Sequence, residues 1–84
     1  MNDIPVQFKE TLRSLRIKLG FNQKEAATMI GVTTKTLRSW EKDSQHLPYS
    51  AIKKIEKAYG VSQDYIFFGS EVAFSELFRK RLVS

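Results

Sequence analysis

Five side chains within the stretch TTKTLRSWEK, at positions 33–42, carry groups suited to hydrogen bonding with a polyanion: Thr34, Lys35, Arg38, Ser39 and Lys42. The ammonium of Lys35 or the guanidinium of Arg38 can donate to O6 and N7 of guanine. The hydroxyls of Thr34 and Ser39 can donate or accept, and a methyl group can be placed near thymine. This is chemistry of recognition rather than catalysis. With one histidine, no cysteine, no glycine-rich phosphate loop and no paired acids at metal spacing, no catalytic constellation, metal site or cofactor is expected. Groups of this kind read a partner only when a rigid element holds them. Leu37 and Trp40, three residues apart, can anchor a helix over Thr34–Lys42 from behind and leave the polar row in front. That arrangement is what reading a DNA major groove requires.

A second helix is expected immediately upstream, over Gln23–Ile30. Asn22 is a good N-cap, and Glu25 three residues later completes a capping box while its charge suits the helix dipole. Ala26, Ala27 and Ile30 supply the inward face, and the two alanines admit a close neighbour. Gly31 ends the helix, Val32 is an apolar plug and Thr33 caps the third helix. A short glycine-containing turn between two short helices is the helix-turn-helix connection, here spanning about residues 22–43. The same corner also occurs in proteins that never meet DNA.

The flanking segments read as helices that support this pair. Phe8, Leu12, Leu15 and Leu19 define one face of a first helix over Phe8–Leu19, stopped by Gly20, with Phe21 returning to the core. Met1–Val6 is a short arm. After the polar loop Asp43–Leu47, Pro48 marks the start of a fourth helix. Its stripe is Ile52, Ile55 and Tyr59 flanked by Ala51 and Ala58, with Lys53, Lys54 and Lys57 on the solvent side. Gly60 closes it, Val61 returns inward and Ser62 caps a short fifth helix over Gln63–Phe67, with Tyr65 and Ile66 pointing inward. Ser70–Ser84 forms a further helix, capped by Ser70 and with Glu71 in its first turn. The fold class is therefore all-α: residues 1–69 form the helix-turn-helix domain and 70–84 a C-terminal helical extension.

The whole composition agrees with a small folded domain. Apolar residues make up 42% of the 84 and aromatics 12%, so the chain can build a core, though a marginal one. No run approaches the roughly 18 apolar residues of a membrane-spanning helix, and MNDIPVQFKE lacks the basic and apolar regions of a secretory signal. Together with the absence of cysteine this points to a cytoplasmic protein with no membrane partner. A net charge of +5 and a pI near 9.7 favour polyanionic partners.

From Phe8 to Gly69 the chain resembles the Cro and lambda-repressor-like helix-turn-helix family. The carriers are LRSLRIKLGFNQKEAATMIGVTTKTLRSWE and IKKIEKAYGVSQDYIFFG, which supply Arg16, Gln23, Ala27, Gly31, Glu41, Pro48, Gly60 and Val61 in the family's order. The resemblance implies a five-helix domain whose third helix enters the major groove. It places Thr34, Lys35 and Ser39 at base edges with Arg38 beside them, and Asn22, Gln23, Thr33, Lys42, Ser44 and His46 near phosphates. It also implies a structural pair between Arg16 and Glu41. Two positions depart from the pattern. Ala26 stands where leucine is usual, so Phe21 or Trp40 must supply bulk, and Asp43 stands where glycine often follows the glutamate. The implied activity is that of a sequence-specific double-stranded DNA-binding regulator of transcription, a repressor acting as a homodimer. The competing reading is a protein-interaction module, or an antitoxin-type regulator that also binds a protein partner. Phe74, Leu77, Phe78 and Leu82 lie beyond the usual end of the family domain. They can pack on their own domain or on a second subunit, and an exposed stripe of that size favours dimerisation.

Overall fold

The computed structural model describes residues 4–83, so the expectations for Met1–Asp3 and Ser84 lie outside the described residues. Five α-helices follow one another: α1 (Leu12–Lys18), α2 (Gln23–Ile30), α3 (Thr34–Lys42), α4 (Tyr49–Tyr59) and α5 (Glu71–Val83). Two single 3-10 turns, Val6–Phe8 and Gln63–Tyr65, complete the helical structure of the described residues. Among the described residues there is no strand, only two isolated bridges. None of these helices is long and apolar enough to cross a membrane.

Helix boundaries follow local capping chemistry. The Asn22 side chain accepts from the Glu25 amide, and the Glu25 carboxylate accepts from the Asn22 amide at 2.9 Å. Gly31 ends α2 at φ 90°, a backbone region costly for any residue with a Cβ. Thr33 then accepts from the Thr36 amide at 3.1 Å and opens α3. These signals act within four residues, so α2, the turn and α3 form where expected.

The core is gathered from every helix of the Leu12–Tyr59 region. Leu12 and Leu15 of α1, Ala26, Ala27 and Ile30 of α2, Leu37 of α3, and Ile55 and Tyr59 of α4 meet Ile66 in one cluster. Leu12, Leu37, Ile55 and Ile66 are fully buried. Each contributes about 1.5–3 kcal/mol relative to an exposed position. Ala26 and Ala27 let α2 pack closely on both α3 and α4. Phe21 and Trp40 pack against this cluster from its edge.

Three expectations are corrected by long-range contacts. The first helix begins at Leu12 rather than Phe8, because the Glu10 backbone is extended and bonded elsewhere. Its amide donates to Tyr65 O and its carbonyl accepts from the Phe67 amide, each at 2.9 Å. Phe8 is consequently 64% exposed, and Leu19, the C-cap of α1, is 41% exposed. The same bridge limits the fifth helix of the family pattern to one 3-10 turn, since Ile66 must be extended to pair with Glu10. That geometry buries Ile66 and leaves Tyr65 half-exposed instead of inward.

The chain then passes back beside the end of α3. Ser44 and Gly69 exchange bonds: the Ser44 amide donates to Gly69 O at 3.1 Å, and the Gly69 amide donates to Ser44 Oγ at 3.0 Å. At Gly69 a Cβ would lie 2.7 Å from the Phe67 ring, so a larger residue there would require that ring to shift. Ser70 Oγ accepts from the Ala73 amide and starts α5, whose Phe74 ring packs on Phe67 with centroids 5.3 Å apart. Further along, α5 rests against the 3-10 turn Val6–Phe8.

Candidate nucleic-acid interface

One face of α3 is locked and the other is open. Leu37 is completely buried and Trp40 half-buried against the core. Glu41 is held from three directions. Arg16 Nε donates to Glu41 Oε2 at 2.6 Å and Arg16 Nη2 donates to Glu41 Oε1 at 3.1 Å. Gln23 Nε2 donates to the same Oε1 at 3.1 Å. The third guanidinium donor, Arg16 Nη1, reaches Phe21 O at 2.9 Å. The hydrogen bond to Glu41 holds the Arg16 guanidinium above its ordinary pKa, with the carboxylate charge adding to it against the cost of burial. The pair thus ties α1, the start of α2 and the end of α3 into one block. Beside it, burial chiefly and the Glu41 charge secondarily push the Tyr59 phenol up to about 12.

On the opposite face Lys35, Arg38, Ser39 and Lys42 are exposed and Thr34 is half-exposed. Positions 35, 38, 39 and 42 fall on successive turns of one helix side, three and four residues apart. Among the described residues none of these side chains makes a hydrogen bond or ion pair with the protein. Their donors and acceptors are therefore free for a partner, while the helix that carries them cannot rotate or slide without breaking the Arg16–Glu41 block.

The residues expected near phosphates divide into three groups. Lys42 and His46 are exposed. Asn22 and Thr33 stand at the starts of α2 and α3, but their side-chain oxygens serve as helix caps, and the Thr33 hydroxyl donates to Thr36 Oγ1 at 2.9 Å. Gln23 and Ser44 differ from the expectation of outward contacts. The Gln23 amide nitrogen is turned to Glu41, and Ser44 is buried with its hydroxyl engaged by Gly69. Each is turned to a partner that a neighbouring segment of the chain offers. For Ser44 that partner is 25 residues away, which no spacing in the sequence signals. Asp43, the departure at the end of α3, accepts from the Gln45 amide at 2.9 Å and closes the turn after the helix.

The C-terminal candidates also divide. Phe74 and Phe78 are half-buried and their rings stand 5.9 Å apart, continuing the contact with Phe67. Leu77 and Leu82 are 44% and 69% exposed. Sequence reasoning did not single out Arg13 or Glu71 as site residues, yet both line a cleft beside Arg38 and Lys42. Only the folded chain brings the first turn of α5 there.

Short helices joined at a Gly31 turn, with a locked back and a free polar front on α3, define a helix-turn-helix protein. A family model described as helix-turn-helix matches residues 12–66, and the chain belongs to that family, in its Cro and lambda-repressor-like form. The chain is also 32% identical over 62 residues to "HTH-type transcriptional regulator ImmR" of Bacillus subtilis (strain 168). That match covers 74% of this chain and 49% of the relative, so the chain spans about half the length of the curated protein it resembles.

Proposed function

We propose that this chain is a sequence-specific, double-stranded DNA-binding regulator of transcription, acting in the cytoplasm as a repressor, which inserts α3 into the major groove. The observation that carries the reading is the unpaired polar face of α3, set against a back held by Leu37 and the Arg16–Glu41 block. The net charge of +5 supports attraction to duplex DNA, and the similarity to a transcriptional regulator agrees with it. In this reading Thr34, Lys35, Arg38 and Ser39 face base edges and Lys42 faces a phosphate. Nothing in the reading calls for an enzyme or a cofactor. Selection of bound sequences from random duplexes tests it. Lys35→Ala is expected to change the selected bases at one position. Lys42→Ala should weaken all sequences alike and reduce the salt slope by about 0.9. Binding no stronger than that of an unrelated basic protein of equal charge would reject the reading.

A two-fold dimer fits the same function, with recognition helices about 34 Å apart on one face of the duplex. The exposed Leu77 and Leu82 on α5 support that helix as the contact, whereas Phe74 and Phe78 are partly used within the chain. In sedimentation, Leu77→Ser/Leu82→Ser is expected to be monomeric where the parent chain is dimeric. An unchanged dimer would remove α5 from that role.

A further inference from the structure

A cleft of about 310 Å³ opens where α1, the start of α2, the outer half of α3 and the first turn of α5 come together. Its walls include Arg13, Arg38 and Lys42, three exposed cations that form no ion pair among the described residues. Two carboxylates share it. Glu41 is neutralised by Arg16 and accepts a further hydrogen bond from Gln23. Glu71 is not: its Oε2 is buried without a hydrogen-bond partner. The cleft therefore holds three cations, one carboxylate with an unbonded buried oxygen and an opening to solvent, at the edge of the outward α3 face.

We propose that this cleft is a backbone-phosphate site of the DNA complex, with Arg13 as a ligand beside Lys42, and that Glu71 is its intramolecular competitor. The proposal rests on the reading of the chain as a duplex-binding protein. In the free protein the Glu71 carboxylate balances part of the cationic field. A phosphate entering the cleft meets Arg13, Arg38 and Lys42, and it also meets a nearby like charge in a setting less screened than open water. The backbone that carries Glu71 stays beside the cleft. Its helix is pinned next to the end of α3 by the paired Ser44–Gly69 bonds and by the bridge between Asp43 and Ser70. It also lies outside residues 12–66, so the competitor belongs to the α5 extension and not to the helix-turn-helix region. A penalty at a phosphate acts on every sequence alike, which leaves base contacts to decide where the protein stays.

The test measures binding of the full chain to a mixed-sequence duplex by fluorescence anisotropy at two salt concentrations. Glu71→Gln is expected to tighten binding roughly threefold to tenfold at low salt, the scale of one unit charge near a partly exposed phosphate. The salt dependence should steepen as well. Arg13→Ala should weaken binding, and adding it to Glu71→Gln should erase the gain. Glu76→Gln removes the same charge from another, exposed side of α5 and should change little. No gain from Glu71→Gln, a gain that survives Arg13→Ala, or an equal gain from Glu76→Gln would overturn the proposal. Circular dichroism of each variant confirms that helix content is kept. Titration with inorganic phosphate, followed by NMR at Arg13 and Lys42, separates the two readings. Stronger binding of phosphate there in Glu71→Gln supports the cleft even if no duplex is bound, and the proposed function would then be the part that fails.

Discussion

Removing Glu41 exposes the dependence of the fold on its buried ion pair most directly. Glu41→Ala leaves the guanidinium of Arg16, whose side chain is 11% exposed, with only the Phe21 carbonyl as acceptor. It also strips Gln23 Nε2 of its partner. Three donors lose one carboxylate together. Arginine cannot relieve the situation by losing its proton, because it stays charged at any accessible pH. Breaking such a pair from one side costs about 3–5 kcal/mol. A domain of this size holds about 4–13 kcal/mol in total at 0.05–0.15 kcal/mol per residue. Glu41→Ala should therefore lose a large share of the stability, and part of the population should be unfolded at 37 °C. Urea unfolding followed by Trp40 fluorescence and by far-ultraviolet dichroism measures the loss, with an unchanged m-value expected. The double variant Arg16→Met/Glu41→Leu replaces both charges by apolar groups and should recover most of the loss, because the uncompensated charge is gone. A Glu41→Ala loss below about 1 kcal/mol, or a double variant no more stable than the single one, would refute the claim that the pair is buried and mutually dependent.

Two further predictions concern other joints of the fold. Ser44→Ala removes the hydroxyl that bonds the Gly69 amide and carbonyl and should cost about 1–3 kcal/mol; hydrogen exchange should show faster opening at Gly69 and the start of α5, with α2 unaffected. The Tyr59 hydroxyl is buried with no partner among the described residues, so Tyr59→Phe should be neutral or stabilising at pH 7. Tyr59 also imposes a pH dependence. Its folded pKa, pushed from 10.0 to about 12, lies above that of the unfolded chain. Its contribution is complete below pH 10 and is lost as pH rises from 10 towards 12, where the unfolded chain gives up the proton first. Denaturation curves at pH 9 and 11.5 should show a smaller decline for Tyr59→Phe than for the parent chain.

How far the interface can be read in advance depends on how local its causes are. The outward position of Thr34, Lys35, Arg38 and Ser39 was legible because Leu37 and Trp40 fix which way α3 faces, and helical periodicity then decides what is left outside. Gln23 and Ser44 carry side chains equally suited to a phosphate, and the sequence has no term that turns them inward. Gln23 bends towards Glu41 because a carboxylate from another helix arrives there. Ser44 turns in because the Gly69 backbone arrives there with an amide and a carbonyl to bond. The Arg16–Glu41 pair needed the family resemblance, since charges 25 residues apart announce no contact.

The sequence by itself determined the α2–turn–α3 unit. Its capping box at Asn22 and Glu25, left-handed Gly31 and Thr33 cap are each satisfied within four residues, and Leu37 orients the product. Tertiary structure alone decided where the surrounding pieces end and meet. Glu10 and Ile66 became extended because Glu10 bonds Tyr65 and Phe67 on either side of Ile66, which shortened α1 and left a single 3-10 turn where a fifth helix was expected. The same route brings α5 back beside α3, placing Glu71 at the cleft of Arg13, Arg38 and Lys42. Hydrogen bonds that close within one turn are written in neighbouring residues. Those that join distant segments depend on which partner arrives, and packing decides that.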